Sequence, residues 1–186
     1  MIWQQNKCIP KFIPIFVQNT EDKKTIQSQG FLDVRVVGIT QFKGITITKT
    51  QGQHGCEEIL SNPIFVEMFG TSMGFVLRSP EQKTVYFAGD TIWHEYVEFA
   101  INKYKPDIIV LNTPKARYEG IKGSSVMDPE DVKKCYELAK NAIIIPVHMN
   151  ALAHCLVTVD MMKKYVEENK LQDRVIVPTD GEIFKL

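Results

Sequence analysis

The sequence is short of the features that usually announce a purpose. Its 186 residues hold four cysteines, Cys8, Cys56, Cys135 and Cys155, far apart and without a Cys-x-x-Cys pair. That spacing excludes a zinc knuckle or a vicinal redox couple and leaves reduced, mostly buried thiols. Neither sign of charge is in excess: Lys plus Arg and Asp plus Glu are both 22, and neither forms a block. No nucleic-acid groove and no anionic-membrane surface is therefore expected. No apolar run reaches the roughly 18 to 20 residues that cross a bilayer, and no basic segment leads into a small-residue cleavage site. The expectation is a cytoplasmic protein whose partner is a small molecule or another protein. Histidine is scarce too: there are four, and none precedes His54.

What is present reads as one α/β domain, since 186 residues are enough to bury a real core. The organising stretch is Thr84-Val-Tyr-Phe-Ala-Gly-Asp-Thr91. Val85, Phe87 and Ala88 suit a packed strand, Gly89 frees the backbone to turn, and Asp90 falls at the tip before a run with helical spacing. Residues 1 to 7 read as the tail of a helix. Strands are expected at 13–18, 33–37, 44–50, 74–78, 84–88, 107–112 and 142–147, with short closing strands at 174–177 and 182–185. Thr20 is expected to cap a short helix that closes before Gly30, Asp128 one running to about residue 140, and Thr158 one running to about residue 169. A further amphipathic helix covers 95–104, residues 56–71 read as a long loop with room for one helical turn, and 74–88 read as a hairpin. From residue 84 onward strands and helices alternate, which predicts helices packed on a mixed or parallel sheet.

Three strand ends carry metal-competent side chains: His54, Asp90 and His148. Imidazole and carboxylate on rigid tips can converge on one divalent ion. Each alone is as well explained by a structural role, the histidines hydrogen-bonded and the aspartate capping a helix. His94 reads as a helix-terminus residue. Arg117, in a glycine-containing loop, has the two-donor geometry that grips phosphate or carboxylate, although a plain surface arginine is the favoured reading of the residue by itself.

Three stretches, Gln51-Gly-Gln-His-Gly55, Ala88-Gly-Asp-Thr91 with Trp93, and Pro146-Val-His-Met-Asn-Ala-Leu-Ala-His-Cys155, resemble the third, fourth and fifth motifs of the metallo-β-lactamase superfamily. The nearest branch is that of metal-dependent hydrolases similar to ascorbate-6-phosphate lactonase. Ile15-Phe-Val-Gln-Asn19, Arg117-Tyr-Glu-Gly120, Met127-Asp-Pro-Glu-Asp131 and Pro178-Thr-Asp-Gly181 follow in the order that branch would have. The resemblance runs from about Pro10 to the end and implies an αββα sandwich. It makes His54 a ligand of a first metal, Asp90 the bridging carboxylate and His148 a ligand of a second, with Asp90 and His148 the catalytic pair. His154 is then a substrate or supporting residue, and Arg117 a second substrate contact. Such sites hold two ions about 3.5 to 4 Å apart and hydrolyse phosphodiesters, lactones or related esters.

One motif of that superfamily is missing. The His-x-His-x-Asp-His sequence that supplies most other ligands belongs upstream of the stretch at Pro10–Asn19, where this chain has no histidine. The resemblance thus implies a domain lacking its first strands, with residues 1–73 the remainder of the first half and 74–186 a complete second half. The expected metal is one weakly held divalent ion, zinc or manganese, in an incomplete site. The chain is expected to be truncated, weakly active or inactive, and to cover its open sheet edge as a homo-oligomer or with another partner. The competing expectation is a non-catalytic interaction protein whose metal site has decayed.

Overall fold

The computed structural model describes residues 9–150 and 152–186. The helix tail expected at residues 1–7, and Cys8, lie outside them. Six strands form one sheet in chain order: β3 (Ile39–Phe42), β4 (Ile45–Gly52), β5 (Ser72–Arg78), β6 (Val85–Phe87), β7 (Ile108–Asn112) and β8 (Ile143–Val147). The first three junctions are antiparallel and the last two parallel. Parallel neighbours need crossovers, and α4 (Glu95–Tyr104) and α5 (Pro129–Leu138) lie in them. With α6 (Val159–Glu168) they cover one face of the sheet, where Val76, Tyr86, Ile109, Leu111 and Ile144 are all 2% exposed or less.

On the opposite face Phe75, Leu77, Val85, Phe87, Val110 and Ile143 are only half-buried. A second, smaller sheet lies over one end of that face. It consists of β1 (Ile15–Val17) and β2 (Val34–Val36), paired in parallel and backed by α1 (Thr20–Ser28). The Phe16 ring meets Phe42 edge-on at 5.3 Å, and Lys49 Nζ donates to the Gln18 carbonyl at 2.8 Å. The layers run α1, β1–β2, six-stranded sheet, outer helices, so the expected αββα sandwich is present with a thin first sheet. The line between residues 73 and 74 falls within β5, and β3 and β4 from the earlier part pair into the same sheet as the later strands.

Helix starts follow their caps. Asp128 accepts from the Glu130 and Asp131 amides while Asp131 accepts from the Asp128 amide, a reciprocal capping box with Pro129 in first position. Thr158 caps α6 through the Met161 amide at 3.1 Å. Before α1 the cap is Asn19 rather than Thr20: its side chain accepts from the Asp22 amide at 2.7 Å, and Thr20 is already helical.

Three other expectations are corrected. Residues 56–71 hold two short helices, α2 (Glu57–Leu60) and α3 (Pro63–Phe69), the second started by the Asn62 cap and Pro63. Neither is long enough to show a period. Strand β3 was not expected; it returns into β4 through Lys43 and Gly44, at φ 48° and 81°, a mirror-image turn that a Lys-Gly pair does not advertise. The closing strands do not form: Val175 makes an isolated bridge to Ile144, and 182–185 takes no regular structure. Among the described residues no helix is long and apolar enough to cross a membrane.

Candidate metal centre

The β4, β6 and β8 strands end on the same side of the sheet, and each delivers one of the expected donors. After β6 the chain turns at Gly89, where φ is 74° and a Cβ would sit 2.5 Å from the Met73 carbonyl oxygen. Only glycine fits that approach. Asp90 follows. Its Oδ1 accepts from Asn112 Nδ2, at the tip of β7, at 2.7 Å, and its backbone carbonyl accepts from Ser72 Oγ at 2.5 Å. The next residue, Thr91, is fully buried and accepts from the Gln53 amide at 2.9 Å, while the Ile92 amide donates to the Gln53 carbonyl at 2.8 Å. These two bonds lash the turn after β6 to the turn after β4, and so set His54 beside Asp90.

His54 is half-buried and lies flat on the Phe69 ring, with centroids 4.0 Å apart and planes 18° from parallel. Burial pushes its imidazole below the usual range; the Asp90 charge pulls the other way and the His148 charge adds to the lowering. The net direction favours the neutral ring, which is the form that ligates a metal. His148 closes β8 in a left-handed backbone conformation, φ 71°, and its Nε2 stands 3.9 Å from Asp90 Oδ1. A non-glycine residue in that region is uncommon and concentrates at functional corners. Two residues on, Asn150 at φ 60° accepts from the Val159 amide and ties the turn to α6.

The remaining candidates fall nearby or apart. His154 stacks on Tyr118 with centroids 5.2 Å apart, and Tyr118 in turn meets Phe69 at 5.6 Å and Phe65 at 5.1 Å. An aromatic wall therefore joins His154 to His54 through α3 and the 117–120 loop. Arg117 donates its backbone amide to the His154 carbonyl at 3.1 Å, and its side chain is exposed. His94 is the N-cap of α4, accepting from the Tyr96 amide, as a helix-terminus residue should. Sequence reasoning missed Asn112 and the Phe69–Tyr118 wall. A lone amide ending the apolar run Ile108–Leu111 was the available signal for the first; the second sits on a helix too short to read.

His54 and Asp90 line one cavity of about 610 Å³ with Phe16, Met68, Phe69 and Met73 among its walls. The donor types, two imidazoles and a carboxylate oriented by an amide, suit a divalent ion. Their number does not fill a shell: among the described residues no three His, Cys, Asp or Glu side chains close on one point.

Over 177 residues the chain is 36% identical to the UPF0173 protein YddR of Bacillus subtilis, a match that covers 95% of this chain and 67% of that one. The chain belongs to the UPF0173 family. Other members at lower identity are named metal-dependent hydrolases, one of them from Methanopyrus kandleri. Among solved structures, a possible metal-dependent hydrolase from Veillonella parvula superposes with a TM-score of 0.96 at 38% identity, over 98% of this chain and 70% of that one. An isothiocyanate hydrolase from Delia radicum gut bacteria superposes at 0.92 with 32% identity and the same two coverages. The metallo-β-lactamase fold protein YhfI of Bacillus subtilis also superposes, with a TM-score of 0.64 at 11% identity, which speaks for the fold alone. No family model matches the chain. This UPF0173 chain spans about two thirds of the length of the relatives it matches.

Proposed function

We propose that the chain carries the Asp90–His148–His54 part of a hydrolytic metal site acting on a small, uncharged electrophile such as a lactone, an ester or an isothiocyanate. The observation that supports this most is the 3.9 Å approach of His148 to Asp90 beside the cavity that His54 also lines. A divalent ion, zinc or manganese, would supply a water of lowered pKa and polarise the bond to be split. Asp90, fixed by Asn112, and His148 would hold that ion, with His54 completing the protein's share. The substrate preference comes from the walls. Their apolar part is Phe16, Val17, Ile26, Met68, Phe69 and Met73, the carboxylates facing the cavity are Asp22 and Asp90, and no Lys or Arg is among the lining residues. Apart from the bound ion, no cationic side chain lines the cavity to match the charge of a phosphodiester. Resemblance to the isothiocyanate hydrolase adds a neutral heterocumulene to the classes worth testing.

Asp90 and His148 approach each other but close no three-donor shell with His54, so these 186 residues alone are expected to turn over slowly or not at all. Cys56, Cys135 and Cys155 are unpaired, in keeping with a reducing, cytoplasmic setting. Zinc and manganese titration of the purified chain, with parallel assays on bis(p-nitrophenyl) phosphate, a γ-lactone and benzyl isothiocyanate, tests the reading. Metal-dependent turnover of the neutral substrates above the phosphodiester is expected, and the reverse preference would overturn it. A chain that binds no metal would support the alternative, a non-catalytic interaction protein with a decayed site, which the lack of a closed donor cluster favours.

A further inference from the structure

A cavity of about 240 Å³ lies where α4 meets the end of β4, and none of His54, Asp90 or His148 lines it. Lys49 and Gln51 of β4 and Tyr96, Phe99, Lys103 and Tyr104 of α4 are among its walls. It thus joins two ammonium groups to three rings, and no carboxylate is among its lining residues. The α4 sequence builds this wall beside its buried stripe. Val97, Ala100 and Ile101 face the core at helical spacing, and Tyr96, Phe99 and Lys103 follow at i, i+3 and i+7 on the next strip round the helix. Strand β4 leaves room there, because its pairing with β3 stops at Thr48 and the Lys49 amide reaches only the Gly38 carbonyl, at 2.8 Å.

The charge of the cavity is not matched from within. Among the described residues no ion pair includes Lys49 or Lys103. Lys49 Nζ donates to the Gln18 carbonyl at 2.8 Å, and an ammonium has donors beyond that one. Lys103 Nζ stands 5.1 Å from the Phe99 ring centre and 5.3 Å from that of Tyr104. Phe99 is 59% exposed, so much of its ring is open to another. The C-terminal end of α4 would repel an anion. Arg78 Nη2 covers the Tyr104 carbonyl at 3.0 Å, however, and brings a third cation to that end. Sites for drug-sized ligands run to about 300 to 1,000 Å³. This one is smaller, which suits one ring carrying one acidic group.

We infer that this cavity is a binding site for a small aromatic acid, its carboxylate paired with Lys103 and Lys49 and its ring stacked on Phe99. The pairing is a charge-assisted bond, and the stacked ring takes apolar surface out of water. An ion pair alone is worth little at an exposed site, so the cavity selects acid and ring on one molecule. Lys49, Gln51 and Tyr96 also border the neighbouring cavity that reaches His54, which puts a bound acid one wall away from the metal corner. Binding needs no metal, so the inference stands apart from the hydrolytic reading.

The test is titration of the ¹⁵N-labelled chain with phenylacetate, followed by nuclear magnetic resonance with chelator present so that no ion beside Asp90 takes the acid. Saturable shifts are expected at the amides of Gln51, Tyr96, Phe99 and Lys103, with Asp90, Asn112 and His148 unmoved. Acetate keeps the acid without the ring and phenylacetamide the ring without the charge; each should bind about ten-fold more weakly or worse. F99A and K103M should each weaken phenylacetate by about ten-fold with dichroism unchanged, since both side chains are exposed. K83Q, on the exposed β5–β6 turn, should change nothing. No saturable shift, acetate binding as well as phenylacetate, shifts centred on Asp90 and His148, or affinity unchanged in both F99A and K103M would each overturn the inference. Tighter binding of adenosine monophosphate would contradict the single-ring occupant. A chain that binds phenylacetate yet hydrolyses nothing would sink only the proposed function.

Discussion

Asp90 is oriented by a single side-chain bond. Asn112 Nδ2 donates to its Oδ1 at 2.7 Å, and the carboxylate is otherwise substantially exposed. Groups that orient a ligating carboxylate typically govern affinity by about 10- to 100-fold when removed. N112A is accordingly expected to weaken zinc binding to the chain by about that factor while leaving the fold intact, which calorimetric titration and dichroism together would show. Unchanged affinity would mean that Asp90 needs no orienting partner. Asp90 and His148 stood out in the sequence because each follows a largely apolar strand, 84–88 and 142–147, whereas His54, four residues past the alternating strand 44–50, stood out through the Gln51-Gly-Gln-His-Gly55 resemblance. What holds them in place did not. The Thr91–Gln53 tether joins residues 38 positions apart, and no local pattern encodes such a bond.

Among the elements, those with strong punctuation were readable and those without were not. Helix α4 begins and ends where its spacing predicts, and α5 announces itself with Asp128-Pro129. Strand β3, four residues long with no turn signature, and the helices α2 and α3, four and seven residues long, left no period to read. The α5 cap also carries a pH signature. Burial pushes the Asp128 carboxyl up, but the Lys115 ammonium at 3.0 Å and the helix amides outweigh it and hold the group below its ordinary 3.8. A depressed carboxyl stabilises the fold above its unfolded pKa, and that stability is lost as pH falls through the lower folded value. Neighbouring Asp131 runs the other way: burial raises its carboxyl, so its share is present at low pH and lost as pH rises through the folded value. D128A removes the cap and should cost about 1 kcal/mol in urea unfolding at pH 7. The gap to the parent should narrow below about pH 4 as the ionised cap is lost from the parent too. A gap that widened in acid would contradict this account of Asp128.

At the scale of the whole molecule the two faces of the six-stranded sheet differ in what they contribute to stability. Leu111 is fully buried under the helices, whereas Leu77 lies on the half-covered face. L111A should cost about 2 to 5 kcal/mol, the range for a leucine truncated in a packed core. L77A should cost nearer 1 kcal/mol in the chain alone, since less of its side chain leaves water on folding. Equal losses in denaturant unfolding would show that the second face is packed after all. The αββα layering was legible only through the resemblance, because two sheets facing each other are related by contacts between distant segments such as Phe16 and Phe42.

The ends of β4, β6 and β8 share one corner, where Asp90 and His148 approach each other. The most direct measurement is an anomalous-scattering map from crystals of the chain soaked in zinc. The account predicts one peak about 2.0 to 2.2 Å from an Asp90 carboxylate oxygen and from a His148 ring nitrogen, with His54 turned toward it. A peak elsewhere, or none at saturating zinc with the Asp90 and His148 side chains facing apart, would contradict it.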